Sequence, residues 1–271
     1  MPKTVEANLS YYAPEADPVE KPKFLDLPLA TQRVQIEEAR DRRAEFSLDK
    51  QGFALVTWPT RVKNYRDPAE REQLYVPEVD AMLRALTGCS KVVTAGSGFI
   101  RMSDRVGTRP ANTFSTGNFV HADYSKNAGE FWLRRAVAED EAPWRLRGRY
   151  SIFNVWRILS EPPQDVPLAL CDARSVAPPD VVHTDFTTRA EGAAFSFENA
   201  TYRHNPNHRW YYFRDMTRDE FLVFRGFDSD PERQEAVPHT AFEDPSCPPD
   251  APPRESVEIR SVVFYGELAS R

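Results

Sequence analysis

Residues 118–125 read NFVHADYS. His121 and Asp123 are separated by one residue, and in an extended chain residues i and i+2 point to the same face. An imidazole and a carboxylate then stand side by side, two-thirds of a metal site that needs one more ligand. The reading of this stretch as a strand therefore decides both the architecture and the chemistry to be sought in the rest of the chain.

The surrounding sequence favours strands. KVVTA and GFIRM precede it, and RYSIFNVWRIL, VPLALCDARSV, RWYYFRDM, EFLVFRGFDS and ESVEIRSVVFY follow. Short β-branched and aromatic runs divided by Pro, Asp and Gly turns predict a sandwich or barrel. The 23 prolines, against 11 glycines, cluster at 161–180 and 245–253. Proline stops helices and central strands, so these are expected to be ordered loops. Helices are expected on the N-terminal side. Residues 30–47 are rich in helix formers and charge, and residues 77–88 run from Pro77 to Gly88. Val79, Met82, Leu83 and Leu86 recur there with helical spacing. A short helix is expected at about 129–139 and a strand at 52–58. Residues 1–28 read as an extended, loosely packed arm, and 90–267 as the β core of a single domain spanning 1–271.

Composition narrows the function. The chain has 271 residues, 41% hydrophobic and 12% aromatic, with net charge −6. No basic block marks a nucleic-acid partner. No apolar run approaches the roughly 18 residues of a membrane span, and the N-terminus lacks the signal-peptide pattern. Three scattered cysteines, Cys89, Cys171 and Cys247, read as reduced thiols. These features predict a cytoplasmic protein with no nucleic-acid or membrane partner, and leave a homo-oligomer open.

The third ligand is sought among five histidines. His239, in VPHTAF, follows a hydrophobic run, and fifteen residues later comes Arg254, then Ser256, at the head of the last strand. Two histidines and one carboxylate leave three open positions on an octahedral metal, the facial triad of non-haem Fe(II) oxygenases. Arg254 offers a planar guanidinium that grips a carboxylate through two parallel bonds. Arg260 competes for that task; the Arg-x-Ser pattern and the spacing after His239 favour Arg254. A second His-x-Asp, His183 and Asp185, sits beyond a Pro-rich loop and ranks below the first. Asn154 and Trp156 share one strand face and Arg157 the other. Tyr124, Asn154, Trp156, Tyr202, Arg203 and His208 are candidate pocket residues. His204 and His208 cannot form a helical metal pair across Asn-Pro-Asn.

The blocks NVWR (154–157), PLALCDARSV (167–176), YRHNPNHRWYYFRDMTRDEFLVFRGFDSD (202–230) and PHTAFEDPSCPPDAPPRESVEIRSVVFYGE (238–267) carry a resemblance. The sequence resembles Fe(II)- and 2-oxoglutarate-dependent oxygenases, in particular the family of the cephamycin-biosynthesis protein CmcJ and the AsaB-type hydroxylase/desaturases. The resemblance implies a mainly β fold with flanking helices, built on a double-stranded β-helix or cupin-like jelly roll. It implies iron on His121, Asp123 and His239, with O2 and 2-oxoglutarate as co-substrates. The distal carboxylate of 2-oxoglutarate would lie on Arg254 and Ser256. The presence of Asp123 favours hydroxylation or desaturation over halogenation, since halogenating relatives lack this carboxylate. Two other readings use the same residues differently: a zinc or manganese hydrolase or isomerase on a cupin-like scaffold, and an accessory protein of a biosynthetic pathway without turnover. The 1–28 and 126–150 segments are candidates for a lid or an oligomer contact.

Overall fold

The structure is a computed structural model. It describes residues 3–15, 22–24, 26–190, 193–233 and 236–266. Among the described residues fourteen strands follow one another. They begin with β1 (Thr4–Tyr12), β2 (Leu29–Glu38), β3 (Phe53–Thr57), β4 (Lys91–Met102), β5 (Thr113–Ser115), β6 (His121–Ala122) and β7 (Tyr150–Ile158). The remainder are β8 (Leu168–Cys171), β9 (Val181–Ala190), β10 (Ala193–Tyr202), β11 (Trp210–Tyr212), β12 (Glu220–Asp228), β13 (His239–Ala241) and β14 (Glu255–Phe264). They form two sheets, ordered β1-β2-β11-β8-β13-β6-β10-β9 and β3-β12-β7-β14-β4-β5. The sheets face each other as the expected jelly roll.

The six-stranded sheet alternates cleanly. On one face Phe153, Val155, Phe221, Val223, Val257 and Ile259 form a core with Val79, Met82 and Leu83. Those three belong to helix α1 (Val76–Thr87), closed by Gly88 in the left-handed conformation at φ 67°, where glycine carries no steric penalty. The expected apolar stripe holds for three residues; Leu86 is 37% exposed and lies outside the core. Arg157 also points to this side, donating to the Tyr65 hydroxyl at 3.0 Å and the Trp58 carbonyl at 3.1 Å. The opposite face carries Asn154, Trp156, Leu222 and Phe224 in register with one another. It looks into the space between the sheets.

Two expectations for the N-terminal segment are corrected. Residues 30–47 are not a helix: they form β2 and a short 3-10 turn, Arg40–Glu45. Residues 4–12 are not a loose arm but a nine-residue strand paired antiparallel with β2, so the β structure begins at Thr4, ahead of the expected strand at 52–58 and core at 90–267. Residues 16–21 of the expected arm lie outside the described residues. Good helix formers in TQRVQIEE were overridden by pairing, because sheet propensity is set mostly by cross-strand packing. The alternation of Val5, Ala7, Leu9 and Tyr11 is the period-2 signal that the reading of 1–28 as a loose arm passed over.

These side chains fill a second core. Ala7, Leu9, Tyr11 and Ile36 pack with Val120, Ala122, Cys171, Tyr202, Trp210 and Phe242. The eight-stranded sheet curls until β1 nearly meets β10: Val120 N–H donates to Ser10 O at 2.8 Å, and Tyr12 bridges Arg203. No helix among the described residues is long and apolar enough to cross a membrane.

Because β1 closes this core, Leu9→Ala should cost about 2–5 kcal/mol, the range for a buried leucine truncated to alanine. Urea unfolding measures it; a loose arm would give no loss.

Candidate metal centre

His121 and His239 lie directly opposite each other where β6 pairs with β13. Their ring centroids are 4.4 Å apart. Asp123 follows two residues after His121, and one ligand atom from each of the three lies within 4.8 Å of the others. All three are buried. His239 Nε2 is 3.6 Å from Asp123 Oδ2. Each imidazole is oriented from behind by its own chain. His121 Nδ1–H donates to the Phe119 carbonyl at 2.8 Å and His239 Nδ1–H to the Val237 carbonyl at 3.1 Å. That hydrogen bond fixes the tautomer and leaves Nε2 as the ligand atom.

Electrostatics match the geometry. Burial, reinforced by His239, pushes the His121 imidazole down to about 4. Burial likewise lowers His239. Both rings are thus neutral at pH 7, the form that binds a metal. Burial would raise the Asp123 carboxyl, but the Arg260 guanidinium and the two histidines outweigh it and hold it well below the usual carboxylate range.

Arg254 and Ser256 lie further along the interior, both about 1% exposed. Asp165 accepts from the Arg254 backbone N–H at 2.7 Å. The guanidinium gives Nη1 to the Val166 carbonyl at 2.7 Å and sits 5.4 Å from the centroid of Trp156. Burial, with Arg101 nearby, pushes Arg254 down to about 9. Among the described residues no carboxylate ion-pairs with this guanidinium, and Arg254 Nε and Ser256 Oγ are buried without a hydrogen-bond partner. An uncompensated buried cation beside idle donors is costly. A carboxylate placed there satisfies both, so the residues present fit the distal end of 2-oxoglutarate. The donor set of two imidazoles and a carboxylate likewise fits iron.

Arg260 sits elsewhere. Its Nη2 donates to Asp123 Oδ1 at 2.8 Å and to Glu258 Oε1 at 3.1 Å. The expectation that it competes for the cosubstrate does not match this placement, because its donors already serve two acids. Asn154 Nδ2 also donates to Asp123, through Oδ2. Trp156 lies under Arg254, and Tyr124 packs on Gly226, where a Cβ would come within 2.5 Å of the tyrosine ring.

The structure does not bring the other pocket candidates to the triad. Tyr202 shares a face with Ala200 and Ala122 and faces the second core. Arg203 reaches the Ala13 and Pro14 carbonyls, both at 3.3 Å, and stacks on Tyr12. His208 meets Asp180 at 3.1 Å and stacks on Tyr11. All three tie the 180–210 region to the N-terminal hairpin. His183 is directed to Glu198 at 3.1 Å. Among the described residues, His121, Asp123 and His239 are the one cluster that could hold a metal.

Sequence reasoning missed the aromatic surround. Phe119 and Phe24 lie 4.9 and 5.6 Å from the His121 ring and Phe224 4.6 Å from His239. From Phe24 the rings continue through Phe186 and Phe197 to Trp132 of helix α2 (Gly129–Ala136). Between these rings and His121, on the same face of the β9–β10 hairpin, Thr184 and Asn199 pair in register. Both are buried, with Thr184 Oγ1 and Asn199 Oδ1 unpartnered. Alternation along TDFTT and FSFENAT carries that signal once the facing side is known. A cavity of about 790 Å³ runs past Asp165, Thr116 and Asn118 but is lined by none of the ligand candidates. It is an outer groove; buried ligands, not cavity size, locate this site.

A Cβ on Gly117 would stand 2.9 Å from His121 Cε1 and 3.6 Å from Nε2. Gly117→Ala should therefore turn the imidazole and weaken metal binding by about tenfold, the scale of lost ligand orientation, while the thermal midpoint stays close to that of the parent. A Co(II) titration beside a melting curve checks both.

Comparison with known proteins agrees with this geometry. A family model described as "Oxidoreductase/YMDC permease-like domain" matches residues 3–264. The chain is 32% identical to the hydroxylase/desaturase efuI of Hormonema carpetanum, covering 87% of this chain and 84% of that one. It is 31% identical to the Fe(II)/2-oxoglutarate-dependent dioxygenase nvfI of Aspergillus novofumigatus (strain IBT 16806), covering 86% and 84%. A solved structure of the iron and alpha-ketoglutarate-dependent endoperoxidase NvfI, in a different conformation, superimposes with a TM-score of 0.84 at 26% identity, over 97% of this chain and 98% of that one. Matches of this length and identity, on a jelly roll with a buried His-Asp-His cluster, make the chain a member of the Fe(II)/2-oxoglutarate-dependent dioxygenase family that includes these hydroxylase/desaturases.

Proposed function

We propose that this protein hydroxylates or desaturates an apolar small molecule of secondary metabolism, using iron on His121, Asp123 and His239 and 2-oxoglutarate on Arg254 and Ser256. The observation that carries the reading is the pairing of a buried two-histidine, one-carboxylate cluster with a buried guanidinium and hydroxyl that lack an anionic partner among the described residues. A zinc or manganese hydrolase would have no use for that second feature.

When bound, iron with 2-oxoglutarate and O2 supplies a two-electron oxidation of a C–H bond, coupled to release of succinate and carbon dioxide. The chain's own residues do the rest. Backbone carbonyls at 119 and 237 aim the two imidazoles. Arg254 and Ser256 fix one end of the cosubstrate, so that its other end has a defined orientation. Phe24, Phe119 and Phe224 crowd the histidines and keep water away from the reacting centre. The wall from Phe24 to Trp132 suits an apolar, ring-bearing substrate, and Asn199 and Thr184 offer polar contacts to orient it. Buried, unpaired Cys89 and Cys171 suit a reducing, cytoplasmic setting.

An anaerobic titration with Fe(II), then 2-oxoglutarate, should develop the visible iron-to-cosubstrate charge-transfer band. His121→Ala should abolish it. Arg254→Ala should require at least tenfold more 2-oxoglutarate, as expected for loss of a buried charge-assisted pair. A folded, iron-loaded protein with no band would overturn the reading.

A further inference from the structure

Strand β14 and the residue before it place four polar side chains on the inward face at two-residue intervals: Arg254, Ser256, Glu258 and Arg260. The first two are the idle donors described above. The second two are paired with acids and bases around them. Arg260 Nη2 bridges Asp123 Oδ1 at 2.8 Å and Glu258 Oε1 at 3.1 Å, and its Nε lies 3.2 Å from the same Glu258 oxygen. The guanidinium is held between rings, 5.2 Å from the centroid of Phe99 and 5.8 Å from that of Tyr124. Asn154, opposite Arg260 in register, gives Nδ2 to Asp123 Oδ2 and lies 3.4 Å from Glu258 Oε1. Glu258 Oε2 is 3.5 Å from Arg101 Nε.

We propose that Arg260 and Asn154 form a clamp that holds Asp123 for ligation through a single oxygen, which makes Arg260 a positioning residue for the metal ligand and not a cosubstrate anchor. The proposal rests on the oxygenase reading and assigns a role within that same site. The argument is one of geometry and charge. A carboxylate on a short side chain can chelate with both oxygens or turn away. Here Oδ1 is taken by a guanidinium fixed between two rings. Oδ2 is the oxygen nearer His239 Nε2, at 3.6 Å, and the Asn154 amide restrains its rotation. Single-oxygen ligation keeps three positions open on an octahedral ion, the number a chelating cosubstrate and O2 require.

A guanidinium so near a dication needs a counter-charge. Glu258 supplies it, and Arg101 in turn balances the acid. Asp123, Glu258, Arg101 and Arg260 form a charge-neutral set of two acids and two bases before any metal enters. A metal ligand's orienting partners commonly govern affinity by 10- to 100-fold.

The test separates metal from cosubstrate. Co(II) affinity is measured by anaerobic titration of its d–d bands, and 2-oxoglutarate affinity on Co(II)-saturated protein. Arg260→Met should weaken Co(II) by about 10- to 100-fold and leave 2-oxoglutarate affinity within about twofold of the parent. Arg260→Lys, which keeps a charge and one donor direction, should recover part of the loss. Arg254→Met should show the opposite split. Co(II) affinity in Arg260→Met equal to that of the parent overturns the clamp, as does raised 2-oxoglutarate demand with Co(II) binding intact. If Arg260→Met does not fold, Asn154→Leu removes the other arm and is judged by the same two affinities. Failure of the parent itself to bind Co(II), or binding that survives His121→Ala, overturns the oxygenase reading and the clamp with it.

Discussion

The antiparallel contact between β6 and β13 is the constraint on which the rest of the molecule depends. It is minimal, a two-residue strand against a three-residue one, yet it sets His121 across from His239. Directly opposed residues in such a pair have Cβ atoms about 5 Å apart, which suits two ligands of one ion. A one-residue slip of β6 would turn His121 into the second core and bring Ala122 to face His239. The register is therefore held from several sides. Val120 donates to Ser10, Ala241 to Gly117, and Thr201 Oγ1 to the Val120 carbonyl. Through Ser10, the N-terminal strand becomes part of the apparatus that keeps the metal ligands in line.

Much of the site was legible because its chemistry is periodic. His-x-Asp and Arg-x-Ser both exploit the two-residue repeat of a strand, and each pair can be read without knowing the fold. The distant His239 is less local; its place in the cluster comes from topology. What the chain hides is the side of each strand that faces the metal. Tyr202 and Asn199 lie three residues apart on one strand, and only the pairing of Ala200 with Ala122 puts the tyrosine behind the sheet. The 30–47 segment failed for a different reason. A charged stretch rich in helix formers was judged by its own propensity, while its partner strand, some 25 residues earlier, decided the outcome.

The two sheets divide the labour unevenly. The eight-stranded sheet presents the ligands on very short strands. The six-stranded sheet supplies long, regular ones, and β14 runs the length of the site with side chains at fixed intervals. Its partner β4 breaks step between Glu258 and Arg260, where Gly96 and Gly98 have positive φ. A Cβ on Gly98 would come within 2.9 Å of the Glu258 carbonyl, so only glycine permits that approach. The break opens a small, mostly apolar cavity of about 160 Å³ beside Phe99, Tyr124 and Arg260. The glycines thus spare β14 from the bulge, and its inward row stays straight.

That straight row explains how one interior holds so many charges. Burial of an unpaired ion is strongly unfavourable, and burial of a paired one is at best near neutral for stability. Arg260, Glu258, Arg101 and Asp123 resolve this among themselves. Arg254 does not; it has the Val166 carbonyl and the Trp156 ring for company but, among the described residues, no acid in ion-pair contact. A fold selected for stability alone would place an apolar side chain there, as Ile158 and Leu222 occupy nearby inward positions. The arginine is retained at a cost that an anionic ligand relieves, since anything that binds only the folded state stabilises it. In the proposed function, the same unsatisfied charge that weakens the empty protein would give the cosubstrate its address, along one strand from the residues proposed to orient the metal ligand.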